Sequence, residues 1–266
     1  MNRIQQLFQE KTENVLSVYF TAGFPHLDDT RTVLRSLADA GADVIEIGIP
    51  FSDPVADGPT IQQSNQQALD NGMTLQTLFA QLEGIRAEVD TPLILMGYVN
   101  PIIQYGVEAF CQKCADIGID GMILPDLPLP VFQEEYAELF KQHGLLNIFL
   151  ITPQTSEKRI RQIDEASEGF IYMVATAGTT GARQGISDEQ EAYFARIRAM
   201  QLKNPTLIGF GISNHDTFAR ACQHASGAII GSAFINLLHK SENLSDDIRT
   251  FVHDVKGEAV ELSKED

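Results

Sequence analysis

Basic side chains are scarce in this chain: 19 Lys plus Arg stand against 36 Asp plus Glu, for a formal net charge of −17. That surplus repels nucleic-acid phosphates and anionic membrane surfaces, so neither nucleic acid nor membrane is expected as a partner. An anionic ligand would need a locally built site. Long apolar runs are missing too, since none approaches the ~18 residues of a membrane span. The opening Met1-Asn2-Arg3-Ile4-Gln5-Gln6-Leu7-Phe8 is polar and amphipathic, with no apolar signal core, and a cytoplasmic location is expected.

Cysteine is equally sparse, with three in all. Cys111 and Cys114 fall within a helical pattern that begins at Val107, and only Cys222 with His224 could supply a second ligand pair. Packing is therefore expected of these thiols rather than zinc binding. No linker, low-complexity run or composition break divides the chain, which reads as one domain over residues 1–266.

What the chain does have is a repeated unit. A short amphipathic helix over residues 2–10, with Ile4, Leu7 and Phe8 on one face, reads as a plug ahead of the first strand. Strands are then expected at 15–20, 43–47, 93–97, 121–124, 146–151, 170–174, 206–210 and 227–230. Helical patterns follow each of them, including 60–69, 74–88, 107–117, 129–142, 156–166, 188–201, 214–223 and 245–260. Strands as apolar as Leu146-Asn147-Ile148-Phe149-Leu150-Ile151 are covered on both faces, as parallel strands are. Eight β-then-α units in this length predict an α/β fold of the (β/α)₈ or TIM-barrel type with an extra N-terminal helix. An open doubly wound sheet usually carries a Gly-rich turn after its first strand, and Thr21-Ala22-Gly23-Phe24-Pro25 is not one.

The chemistry concentrates in the second unit. Val44-Ile45-Glu46-Ile47-Gly48 alternates so that Glu46 shares a face with Val44 and Gly48, inside an apolar strand. A carboxylate there is costly to desolvate unless it is paired or used, which makes Glu46 a candidate acid or base with a raised pKa. A buried Lys or Arg beside it is the structural alternative. Residues 50–59 follow as a loop rich in proline that carries Asp53 and Asp57. Its Phe51, Pro54 and Val55 are expected to form an exposed patch for another protein, unless they fold back onto the barrel mouth.

Glycine clusters recur after later strands: Gly178 to Gly185, Gly209-Phe210-Gly211-Ile212-Ser213, and Gly231-Ser232-Ala233 leading into a short helix from Phe234 to His239. Each alone could merely turn the chain. Together, at the ends of three consecutive strands, they suggest an anion cradle of backbone N–H groups and a helix N-terminus.

The residues from Ile45 to Gln62, with Gly97-Tyr98-Val99-Asn100-Pro101, Leu124-Pro125-Asp126-Leu127-Pro128, Ala177 to Ala182 and Gly209 to Ser213, closely resemble the tryptophan synthase α subunit family. The resemblance runs in family order over nearly the whole chain, with two departures: Phe24, where other members can carry Asp, and Thr176, where some carry Arg. It implies retro-aldol cleavage of indole-3-glycerol phosphate to indole and glyceraldehyde 3-phosphate, with no metal or organic cofactor. It also implies a β-subunit partner in a heterotetramer of two α and two β subunits, met through the loop of Asp57 and those around Asn100 and Asp126. By resemblance, Glu46 shuttles the proton and Asp57 holds the indole N–H, while Leu124, Tyr172 and Phe210 line the ring pocket. The phosphate would lie on Gly181, Gly211, Gly231 and Ser232. A sugar-phosphate isomerase or a non-catalytic activator of a partner enzyme would share some of these features.

Overall fold

Strands dense in Val, Ile, Leu and Phe have two faces to bury, and here they do so by closing into a parallel barrel sheathed in helices. The computed structural model describes residues 1–55, 57–174, 187–209 and 211–258. Helix α1 (Arg3–Glu10) precedes β1 (Val15–Thr21), α2 (Thr30–Asp39), β2 (Val44–Gly48), α3 (Pro59–Asp70) and α4 (Leu75–Leu82). Next come β3 (Leu93–Met96), α5 (Val99–Tyr105), α6 (Val107–Ile117) and β4 (Gly121–Ile123). A π-helical turn, Phe132–Tyr136, joins α7 (Leu129–Val131) to α8 (Ala137–Gln142). The chain continues with β5 (Leu146–Ile151), α9 (Glu157–Ala166), β6 (Ile171–Val174), α10 (Asp188–Ala199), β7 (Thr206–Gly209) and α11 (His215–Cys222). It ends with β8 (Gly227–Ile230), α12 (Ser232–Lys240) and α13 (Leu244–Lys256).

The strands pair in sequence order, and β8 closes onto β1 from Val15↔Gly227 to Val18↔Ile230. That closure needs glycine, because a Cβ on Gly227 would lie 2.0 Å from the Val15 carbonyl oxygen. Alternation divides the core in two. Val15, Val44, Ile94, Ile123, Ile148, Phe170, Leu207 and Ile229 point into the barrel, whereas Leu16, Ile45, Leu95 and Met122 meet the helices.

Helix α1 stoppers the N-terminal end, as its apolar face predicts. Ile4 is wholly buried among the inward residues, and Phe8 packs on Phe170 with ring centroids 5.8 Å apart. Asn2 caps the helix and also donates through Nδ2 to the carbonyls of Asp120 (2.7 Å) and Gly144 (2.9 Å). With α1 seated there, the cavity that holds Tyr19, Tyr172 and Asp57 opens at the other end, where the strands finish.

Three expectations change in detail. The helical pattern at 74–88 breaks at Gly84, whose φ of +72° ends the helix that began at Leu75. Residues 99–105, read only as part of a motif, form α5. Pro54 is buried and Phe51 half-buried, so the apolar loop residues mostly fold back and only Val55 is prominently exposed, at 88%. Cys111 and Cys114 pack in the core, as their place in α6 predicts. Among the described residues no helix is long and apolar enough to cross a membrane.

Candidate active site

Glu46 lies on β2 in register with Tyr19 of β1 and is wholly buried. The hydroxyl of Ser17, also on β1 and also wholly buried, donates to its Oε1 at 2.7 Å. Oε2 is buried with no hydrogen-bond partner among the described residues, and no Lys or Arg there pairs with the carboxylate. The structural alternative, a buried ion pair, is thus not what the barrel holds. Burial pushes the pKa of Glu46 up to about 7, against the opposing pull of the Ser17 hydrogen bond. A group poised there can both hold and release a proton near neutrality.

Asp57 reaches the barrel mouth from the loop between β2 and α3. The loop is pinned on both sides of it: the Asp57 N–H donates to the Pro54 carbonyl at 3.0 Å, and Gln62 Nε2 donates to the Asp57 carbonyl at 2.9 Å. Tyr98, at the N-cap of α5, donates through its hydroxyl to Asp57 Oδ2 at 3.3 Å, and its ring stacks on Phe51 with centroids 4.9 Å apart. Desolvation raises the pKa of Asp57 to about 6, and the Tyr98 hydrogen bond counters part of that rise. The two carboxylates are therefore ordered, with Glu46 the better proton holder and Asp57 the better anion.

A cavity of about 390 Å³ opens beside Asp57, walled by Tyr19, Ile61, Met96, Tyr172 and Ile229. Two tyrosines fit because glycines face them: a Cβ on Gly48 would sit 2.2 Å from the Tyr19 hydroxyl, and one on Gly209 would sit 2.3 Å from that of Tyr172. Burial and the two carboxylates raise both phenol pKa values, so both hydroxyls stay protonated and can donate. The far side of the cavity is polar. Gly211, with φ of +75°, lies beside Gly231, Ser232, Ala233 and Asn236, where the N-terminus of α12 points inward with no acidic residue in its first turn. Free N–H groups and the helix dipole there suit a phosphate dianion.

The structure thus brings Asp57, Tyr172, Gly211, Gly231 and Ser232 to one cavity and sets Glu46 beside its tyrosines. Leu124 is not on that wall: it is buried in the layer between barrel and helices, and the inward side chain of this strand is Ile123. Strict alternation explains the difference, since Gly121 and Ile123 share the inward parity and Leu124 does not. Gly181 and Phe210 lie outside the described residues, as does Thr176. Phe24, the other departure from the family pattern, is buried and stacks on His239 of α12 with an interplanar angle of 13°. Sequence reasoning missed Ser17, Tyr19, Met96 and the role of Tyr98. The parity of β1 would have placed Ser17 and Tyr19 inward beside Glu46 once the strands were paired. Among the described residues no group of three or more His, Cys, Asp or Glu is arranged to hold a metal ion.

Comparison with known proteins places this geometry. Residues 5–263 match the family profile of the tryptophan synthase alpha chain. The tryptophan synthase alpha chain of Flavobacterium johnsoniae is 58% identical over 256 residues, covering 96% of this chain and 100% of that one. That of Christiangramia forsetii is 57% identical over 256 residues, covering 96% and 99%. Among solved structures, the tryptophan synthase alpha chain of Legionella pneumophila superposes with a TM-score of 0.85 at 32% identity, covering 97% of each chain. Tryptophan synthase from M. tuberculosis, in an aminoacrylate-bound form, gives 0.84 at 28% identity over 96% of this chain and 98% of that one. The chain belongs to the tryptophan synthase alpha chain family, lyases that cleave indole-3-glycerol phosphate in tryptophan biosynthesis.

Proposed function

We propose that Glu46 and Asp57 divide the acid–base work of this cleavage. Indole leaves only after its C3 is protonated, and the carbon that bears it becomes an aldehyde only as its hydroxyl loses a proton. Glu46 gives a proton to C3; the carbon–carbon bond then breaks, its electron pair restores the indole ring, and the hydroxyl proton passes to Glu46, which ends as it began. Asp57 accepts the indole N–H and offsets the positive charge that the ring carries after protonation. The observation that carries this reading is the contrast between the two carboxylates: one wholly buried and half-satisfied on a strand, the other held at the rim by Tyr98.

Tyr172, Met96 and Ile229 would bracket the ring, and the N–H groups of Gly211, Gly231 and Ser232 would hold the phosphate. Leu124 acts, in this reading, only as support behind the wall. Indole release by Glu46→Gln and Asp57→Asn, each measured against the wild-type chain, tests the division. Loss in both supports it, and normal release in either removes that residue from the reaction.

The chain would work in the cytoplasm, docked on a tryptophan synthase β subunit in a heterotetramer of two α and two β subunits. Support comes from Val55, an exposed apolar side chain on the same loop as Asp57, and from Asn100 and Asp126, also exposed at the mouth. Asp126 accepts from the Val99 N–H at 3.1 Å, which joins the loops after β3 and β4 into one surface. Indole release with and without a β subunit tests the coupling: docking is expected to accelerate it.

A further inference from the structure

Glu46 offers two oxygens, but the barrel treats them differently. Ser17 Oγ donates to Oε1 at 2.7 Å, and both residues are wholly buried, so no water competes for that bond. Oε2 has no partner. Ser17 points inward because it shares the parity of Val15 and Tyr19 on β1, and its Cα pairs with Val44, one inward position before Glu46. Among the described residues its hydroxyl bonds to Glu46 alone, in a layer whose inward Val15, Val44, Ile94, Ile123 and Ile148 are aliphatic. A hydrogen bond confined to one oxygen fixes the rotamer of the carboxyl and distinguishes its two oxygens.

We propose that Ser17 is a positioning residue for the lyase reaction: its hydroxyl pins Oε1 of Glu46 and leaves Oε2 as the one oxygen that carries the shuttled proton. This rests on the reading of Glu46 as the proton carrier. A serine suits the task because its O–H can donate to Oε1 whether or not Oε2 is protonated, so the carboxyl keeps its place through the cycle. It also stabilises the charged form and so opposes the desolvation that favours the neutral acid. The titratable groups that face Glu46 are Tyr19 from β1 and Tyr172 from β6, and Asp57 from the loop above acts on the same two tyrosines. The tyrosines stay neutral in the working range and Asp57 is of like charge, so Ser17 is the group whose removal shifts the titration most directly.

The test is to follow the Glu46 side-chain carboxyl by carbon NMR in ¹³C-labelled protein, with Glu46→Gln identifying the resonance, and to measure kcat/KM against pH. In Ser17→Ala the midpoint of Glu46 is expected to rise by about one unit, the scale of a hydrogen bond to a charged group. The kcat/KM limb moves with it, because that profile reports the free enzyme. Ser17→Cys, with its weaker donor, should fall between the two. An unshifted midpoint and an unshifted limb in Ser17→Ala, in a preparation where Glu46→Gln is inactive, would overturn the proposal alone. Full activity in Glu46→Gln would overturn the role of Glu46 and the proposal with it.

Discussion

Tyr98 and Asp57 are joined by a 3.3 Å hydrogen bond that ties the loop after β2 to the N-terminus of α5. The bond has two consequences: it orients the carboxylate at the cavity rim, and it holds down a pKa that desolvation would otherwise raise further. Tyr98→Phe keeps the ring that stacks on Phe51 but loses the donor. The pKa of Asp57 then rises from about 6 toward neutrality, and a smaller fraction is ionised at pH 7. Relative to wild type at the same pH, indole release by this variant should fall by up to about twofold at pH 7 and approach the wild-type value at pH 8.5. A loss that stays constant across that range would mean that orientation alone is at stake.

Stability carries a second signature. Glu46 titrates near 7 in the folded chain against 4.5 for an ordinary glutamate, so its pKa is raised on folding. Below about pH 4.5 both states hold the proton and Glu46 costs nothing; between 4.5 and 7 the unfolded chain releases it first, and stability is lost as pH rises through that window. Glu46→Gln, which cannot ionise, should therefore gain roughly 3 kcal/mol on wild type at pH 8 relative to pH 4.5, as 1.36 kcal/mol per unit implies. Urea titrations of both proteins at the two pH values measure this. A difference independent of pH would show that the buried carboxyl is not titrating.

The phosphate corner makes a separable claim. A Cβ on Gly231 would meet nothing closer than Tyr19 Cδ1 at 3.7 Å, so Gly231→Ala fits the empty protein. It should leave the melting temperature nearly unchanged yet weaken glycerol phosphate about tenfold, because the backbone no longer approaches the anion closely. Unaltered affinity by calorimetry would move the anion site elsewhere.

Gly209 supplies the converse case. An added Cβ would overlap the Tyr172 hydroxyl at 2.3 Å, so Gly209→Ala must displace that ring. Overpacking of this kind costs about 1–3 kcal/mol. Turnover should fall along with stability, in contrast to Gly231→Ala, and thermal melts beside indole release will separate the two.

Much of this was legible in the sequence. All eight strands were, since apolar runs of three to seven residues recur between helical patterns, and so was the plug, whose Ile4, Leu7 and Phe8 obey helical spacing. Helix α5 was obscured by Asn100-Pro101, yet proline falls there in the first helical turn, where its missing N–H would have had no partner. The fold-back of Phe51 and Pro54 was hidden for another reason: a loop has no period, so nothing in its sequence says which side chains turn inward. Leu124 shows the limit of reading a motif without its parity, because one residue along a strand is the opposite face. Ser17 and Tyr98 are site residues by contact, through partners 29 and 41 positions away in sequence, and only the closed barrel brings those partners together.

The central claim is that Glu46 carries the proton that severs the carbon–carbon bond. Its most direct test is the turnover of indole-3-glycerol phosphate by Glu46→Gln, with circular dichroism to verify the fold. The amide keeps the shape of the side chain but cannot move a proton, so indole release is expected to drop at least ~100-fold, the scale of removing a general acid–base, with the spectrum unchanged. Turnover within a few-fold of wild type from a correctly folded variant would contradict it.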